Sequence, residues 1–459
     1  MNTRVLRTEL KRSVAPWAGA VALLGGPAFL YSLDGPWWKG TELWIAQWTS
    51  MAMWTRSMLV FLWPLAVGLG ALQGLRDHRS KMPELLTSTP RPAWHRAATL
   101  SGSTALTLAS GFGLFVLVGA VQVLFRAEYQ HLGWLPISLV AGLSLVAGAV
   151  LGMGVGRALP SALTPPALAV AALFVTAVLR MTLDTALPSS SLPVPVALLS
   201  PSVEGVRQVL ITFSASVHVG QTLWLLGMAA TGFALLAAAT PKARTLALTP
   251  LLSGAAVALL VLPATPRETY VIDEDAAAEV CDGRVCVTKA HEGELSYLAG
   301  PGEKALRLLR ESLGAGAPTA IRETTALNSP LKPMERSRTH VIVDFADEAV
   351  SGARGEELTR VLVGLGVAPT CSPRSWGSSG TDSEAAAQSV AAGWVFGDLR
   401  PIDGTMHSAA FQMEKARPAW KKLKALPRAE QRSRVKAMRA AALSCDGEPL
   451  EAVTGGGSR

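Results

Sequence analysis

A chain of 459 residues with 49% hydrophobic and only 17% charged residues is too apolar for an ordinary soluble fold, in which about a quarter of the residues carry charge. A net charge of +8 invites a nucleic-acid reading, which the distribution of that charge rejects. Residues 1–262 hold 17 Lys/Arg against 8 Asp/Glu, whereas residues 263–459 hold 25 against 26. The whole excess lies in the apolar half, in short clusters between apolar runs, as the positive-inside rule expects of a membrane protein. Membrane lipid is therefore an expected partner, and nucleic acid is not.

In chain order, the basic stretch Arg4, Arg7, Lys11 and Arg12 comes first. It precedes an apolar run with no convincing small-residue cleavage site, so the run reads as a retained helix. A bilayer core is spanned by about 20 apolar residues. Seven windows qualify: 14–32, 57–75, 97–125, 135–156, 163–179, 221–239 and 246–262. Pro165 and Pro166 open the fifth, where proline suits a first helical turn. Charges are so sparse inside these windows that no proton relay or ion pathway is expected. Gly70 with Gly74, and Gly148, Gly152 and Gly156, form small-residue stripes that predict close helix packing.

Alternate loops hold twelve Lys/Arg, while the opposite loops hold only Lys39, Arg56, Arg126, Arg180 and Arg207. That asymmetry places the N-terminus in the cytoplasm of a plasma-membrane protein. Seven crossings would then put residues 263–459 outside. The first external loop, 33–56, carries Trp37, Trp38, Trp44, Trp48 and Trp54. Indole rings favour the headgroup level, so these are candidate interfacial anchors. The segment is either an interfacial helix on the outer leaflet, with Trp44 and Trp48 on one face, or a loop held by its aromatics. The external stretch 180–220 reads as extended loop followed by a short helix near 203–211.

The longest cytoplasmic loop, 76–96, reads RDHRSKMPELLTSTPRPAWHR. Ser80 can cap a helix, Pro83 suits its first turn and Glu84 complements its dipole. Pro90 and Pro92 then end it. Two turns result, with Leu85 and Leu86 as an apolar knob between Arg79 and Arg91. Such an element serves either as a docking helix or as a connector held at the headgroups.

With these residues the chain resembles the permease subunits of ABC-type exporters of the type-2 class, especially actinobacterial ones. The likeness rests on the RTELKRSVAPW stretch, two spans, and the R-x-x-R-x-x-x-P-E-L-L-x-S-x-P loop, and it runs to about Arg244. The resemblance implies an N-terminal elbow helix on the inner leaflet, a core of six spans, and a loop helix coupling to a separate ABC ATPase subunit. The coupling residues would be Arg79, Pro83, Glu84, Leu85, Leu86 and Arg91. A seventh span and the external residues depart from that pattern. The chain has no Gly-Lys-Ser/Thr phosphate loop, so a nucleotide site would have to come from the partner. A second copy of the chain, as a homodimer, is a further expected partner.

From residue 263 onward the pattern changes to short strands, at 269–272 and 340–345, mixed with helical spacing at 303–313, 356–365, 384–396 and 429–443. All four cysteines, Cys281, Cys286, Cys371 and Cys445, lie here. They read as two disulfides in an oxidising compartment, or as unrelated thiols. Asp282-Gly283 is a tight-turn pair, across which Cys281 and Cys286 can bridge. Cys371 and Cys445 would then close a long loop, and the other two connectivities stay open.

His291-Glu292-Gly293-Glu294 lacks the second histidine of a zinc helix, and His340 and His407 stand apart. No metal, cofactor or catalytic residue is expected. Lys415, Lys421, Lys422, Lys424 and Arg428, beside Trp420, form either a solvated helix face or a contact for anionic headgroups or surface polymer. The expected fold class is an α-helical polytopic membrane protein with about seven transmembrane helices and a small α/β extracytoplasmic C-terminal domain. Its expected role is that of an exporter permease, the alternative being a membrane-anchored extracytoplasmic binding or sensor protein.

Overall fold

The structure, a computed structural model, describes residues 13–38, 43–79, 92–127, 129–183, 193–202, 209–326, 334–372, 380–404 and 408–455. It divides into two compact units. The first comprises Met1–Asp34, Trp44–Arg207 and Thr212–Val271; the second comprises Gly35–Leu43, Gln208–Ile211 and Ile272–Arg459.

The first unit is a helical bundle. Its helices are α1 (Ala15–Ser32), α2 (Trp48–Ser57), α3 (Leu59–Gly74), α4 (Ala93–Leu124), α5 (Trp134–Ala158), α6 (Thr164–Leu183), α7 (Ala215–Ala237), α8 (Pro241–Leu246) and α9 (Thr249–Val261). Each of the seven apolar windows is thus occupied by helix. By length and composition four described helices suffice to cross a membrane: α4, α5, α7 and the stretch Pro241–Val261. A fifth is reached if α2 and α3, bent by 47° at their junction, act as one span. Residues 164–180 of α6 form a shorter apolar helix. Large apolar side chains such as Leu117, Phe174 and Leu260 stand exposed on this unit, the surface expected of helices whose solvent is lipid.

Helix α5 is central and packs against α3 and α7, while α1 packs on α4 and α9 on α7. Glycines make the α3–α5 crossing possible. A Cβ on Gly70 would lie 2.2 Å from the Ala149 carbonyl oxygen, and one on Gly152 would lie 2.1 Å from that of Val67. The small-residue stripes are therefore packing surfaces, as their spacing predicts.

Two local expectations for residues 180–220 change. Val194–Ala197 forms a helical turn within the stretch read as extended. Ile211, placed at the end of a short helix, instead opens strand β1 (Ile211–Phe213), which pairs with β2 (Tyr270–Ile272). The segment 203–208 lies outside the described residues.

The second unit is α/β. Strands β3 (Glu279–Asp282), β4 (Val285–Thr288), β5 (Ala320–Glu323) and β6 (His340–Val343) form one sheet in the order β3-β4-β5-β6. The first pair is antiparallel and the other two are parallel. Helix α10 (Leu295–Leu313) buries Leu298, Ala305, Leu306, Leu309 and Leu313, a helical-period stripe facing the sheet. Gly314 ends it at φ 69°, a left-handed conformation that glycine adopts without steric cost. Helices α11 (Gly355–Val367), α12 (Asp382–Phe396), α13 (Ala409–Lys424), α14 (Arg428–Ser444) and α15 (Pro449–Thr454) complete the unit. Thr381 and Glu384 form a reciprocal capping box at the start of α12, satisfying two otherwise orphaned N–H groups. Valines of β4 and β6 meet Leu309, Leu358 and Leu362 in a single core.

Candidate functional site

All five tryptophans expected as anchors lie in described positions, and three of them are buried instead of surface-placed. Trp44, Trp48 and Trp54 are 0%, 8% and 2% exposed. Trp44 meets Tyr31 edge-on at 5.8 Å. Trp48 stacks on Trp134 at 5.2 Å and donates its indole N–H to Gln130 Oε1 at 2.8 Å. All three rings are enclosed by protein, which takes them away from the headgroup level, although the Trp44 indole N–H is buried without a hydrogen-bond partner. Trp37 and Trp38, in the turn Pro36–Trp38, are more accessible. Helix α2, far from lying on a surface, has every residue buried. Its Thr, Ser and Gln-flanked sequence reads as a loop, yet α4 and α5 pack against it.

Burial of α2 carries Arg56 inward. This side chain is 0% exposed. Its Nη2 donates to Gln221 Oε1 at 2.6 Å and its Nε donates to the Pro201 carbonyl at 3.4 Å. The guanidinium carbon stands 5.2 Å from the centre of the Phe213 ring. Gln221 in turn donates to the Leu198 carbonyl at 2.8 Å, and Trp224 Nε1 to that of Leu199 at 3.1 Å. Ser202 Oγ donates to the Ser57 carbonyl at 3.1 Å, at the break between α2 and α3. The segment 198–202 is thus tied on one side to α7 and on the other to α2. Arg56 Nη1 is buried without a hydrogen-bond partner. Arg56, assigned to the first external loop on sequence alone, is instead an interior charge. The missed signal is the run Trp48–Ser57, whose flanking apolar helices are long enough to enclose it.

In the second unit both cysteine pairs are joined, Cys281 to Cys286 and Cys371 to Cys445. Cys281 and Cys286 are directly opposed across the β3–β4 hairpin, with Gly283 at φ 61° in the turn. Among the described residues Glu279, Cys281 and Cys286 bring donor atoms within metal-binding distance of one another. Because the two sulfurs are bonded to each other, they are not thiolate ligands.

A small open cleft lies at the carboxyl end of β5, lined in part by His291, Glu323, Thr324 and Asp344. A neighbouring open cleft shares Thr324 and Asp344 and adds Glu335, His340 and Asp347. Carboxyl ends of parallel strands are the usual ligand-facing edge of α/β sheets. His291 is almost wholly buried here and pairs through Nδ1 with Glu323 Oε1 at 2.6 Å. Glu323 Oε2 accepts the Thr288 backbone N–H at 2.7 Å. Burial disfavours the imidazolium, but the hydrogen bond and charge of Glu323, with Glu294 and Asp344 behind it, outweigh that and raise its pKa.

A histidine whose folded pKa is raised contributes stability that is complete below its unfolded value of about 6.5 and is lost as pH climbs through the folded value. The second unit is therefore expected to unfold at a higher denaturant midpoint at pH 6 than at pH 9. The substitution His291→Gln should flatten that dependence, as read by hydrogen exchange of β4 and β5 over pH. An unchanged slope in the variant would remove His291 as its source.

Of the other residues singled out in the sequence, Arg79 ends a helical turn, Arg76–Arg79, after α3. Pro83, Glu84, Leu85, Leu86 and Arg91 lie outside the described residues, as does His407. His340 opens β6, with Nδ1 3.0 Å from Thr339 Oγ1. The basic run lies along α13, where Lys415, Lys421, Lys422 and Lys424 are exposed and Ala416, Ala419 and Leu423 face the core. The Lys424 ammonium stands 4.9 Å from the Trp420 ring. Against family models, curated proteins and solved structures, the chain gives no match.

Proposed function

We propose that the chain is the membrane subunit of an ABC-type exporter, coupled to a separate ATPase through the 76–96 segment. The observation that carries this reading is the segment's sequence: proline-bounded PELL, flanked by arginines, between helices α3 and α4. A bundle of close-packed apolar helices supports it, as does the lack of a phosphate-binding loop anywhere in the sequence. Seven crossings follow from the apolar windows, a cytoplasmic N-terminus from the loop charges, and an external second unit from the two together; two disulfides in that unit agree with an oxidising side. ATP-driven closure of the partner would then shift the bundle between two packings.

Replacing Leu85 and Leu86 together by Asp is expected to abolish co-purification of an ATPase with the tagged full-length chain. Undiminished recovery of the ATPase would sink the docking reading. The cleft at the carboxyl ends of β5 and β6 favours a second reading, in which the external unit binds a ligand and the helices transmit that event without transport. A chain that recovers no ATPase at all, wild type included, would favour this alternative.

A further inference from the structure

Among the described residues, no carboxylate neutralises the buried Arg56. A guanidinium stays protonated at any physiological pH and offers five N–H donors. Here two of its nitrogens meet neutral oxygens, those of Gln221 and Pro201, and the third meets nothing. Among the described residues none gives it a carboxylate. Phe213 supplies a ring face, which compensates a buried cation only in part. Burying a charge without a counter-charge is strongly unfavourable, so cations inside membrane bundles mark ligand or ion routes by default.

The surroundings define what would neutralise it. Arg56 stands two residues before the 47° break between α2 and α3, and broken helices are where membrane proteins expose polar groups to ligands. The planar fork matches the two oxygens of a carboxylate or phosphate. Phe213, whose ring faces the guanidinium, belongs to a buried apolar cluster with Ala52, Met53, Leu198 and Leu262, so the surroundings of the cation are apolar. His218, one helical turn before Gln221 on α7, also buries Nδ1 without a partner, and Phe213 is packed edge-on to it at 6.0 Å.

We infer that Arg56 is the anion-recognition group of an intramembrane site for an amphiphile carrying an oxyanion. The site is independent of how the bundle is energised, so it stands or falls separately from ATPase docking. The shared chemistry is an oxyanion on a hydrocarbon chain, whether the phosphodiester of a lipid or the carboxylate of a fatty acid.

The test is thermal unfolding of the full-length chain in neutral detergent, titrated with phosphatidylglycerol, oleate, phosphatidylcholine or inorganic phosphate. Phosphatidylglycerol or oleate should raise the wild-type midpoint by roughly 2–4 °C at tenfold saturation. The increment should be lost in Arg56→Gln and kept in Arg126→Gln, which removes an exposed cation. Arg56→Lys, which keeps charge and loses the fork, should retain less than half of it and serves if the glutamine variant does not fold. Which amphiphile acts distinguishes a lipid phosphate from a carboxylate. Equal response to phosphatidylglycerol and phosphatidylcholine with none to oleate, or an anion effect that the Arg56 variants retain, would overturn the assignment.

Discussion

Gly152→Leu is expected to destabilise the bundle by about 3 kcal/mol, enough to collapse the folded yield of a marginally stable chain. The reason is that the clash cannot be relieved by side-chain rotation. A Cβ on Gly152 would sit 2.1 Å from the Val67 carbonyl oxygen and 3.1 Å from the Ala71 nitrogen. The neighbouring positions are equally tight: on the facing helix α3 a Cβ on Gly74 would lie 2.1 Å from the Met153 carbonyl oxygen, and on α5 one on Gly156 would lie 2.4 Å from that of Ala71. Helices α3 and α5 approach closely at four successive levels, so separating them at one level disturbs the rest. Within lipid no hydrophobic force draws helices together, and close van der Waals packing must supply the association. Gly113→Leu is the matched control, because nothing lies within 4 Å of a Cβ there. Size-exclusion profiles and unfolding midpoints in detergent should separate the two variants clearly. Equal behaviour would mean that the α3–α5 crossing is not the one described.

The helices of the bundle are legible in the sequence because lipid solvates long apolar runs without interruption, and those runs set helix position to within a few residues. Helix α2 is the exception. Trp48–Ser57 contains Thr49, Ser50, Thr55, Arg56 and Ser57, a composition that no apolar count selects. It is buried because its neighbours enclose it and because Ser57 and Thr55 return their hydroxyls to carbonyls of their own helix. Arg56 was hidden for the same reason, since a charge beside a span looks like a loop charge until the chain folds back. In the second unit the Asp282-Gly283 turn and the two flanking cysteines expose the hairpin. Strand β5 escaped because Ala320-Ile321-Arg322-Glu323 buries only Ile321 fully. Helix α13 was read only as one of two options for the basic run, a solvated helix face, because Pro418 and the dense basic face obscure its period, although Ala416, Ala419 and Leu423 keep it. The His291–Glu323 pair joins residues 32 apart in sequence, and no local pattern announces such a partner.

The bridge between Cys371 and Cys445 is expected to contribute about 4 kcal/mol to the stability of the second unit, on the chain-entropy account of loop closure. It spans 74 residues and encloses α12, α13 and α14. The Cys281–Cys286 bridge spans five and should contribute only about 2 kcal/mol by the same account. Local contacts make the long bridge more than a tether. Glu384 Oε1 accepts the backbone N–H groups of Cys371 and Ser372 at 2.7 and 3.0 Å, while its Oε2 accepts that of Thr381 at 2.8 Å. One carboxylate therefore fastens both the cysteine and the start of α12. Cys445 sits at φ 57° just after α14, in the left-handed cap position that glycine or asparagine usually takes. Cutting the bridge releases a strained cap together with the C-terminal helices. A chain bearing Cys371→Ser and Cys445→Ser should lower the unfolding midpoint of this unit by roughly 8–16 °C, followed through Trp394 and Trp420. The corresponding Cys281→Ser, Cys286→Ser chain should lose about half as much. If the two double variants lose the same stability, loop length is not what sets the contribution. If neither loses any, the disulfides are not part of the folded unit, and the placement of this unit on an oxidising side loses its chemical support.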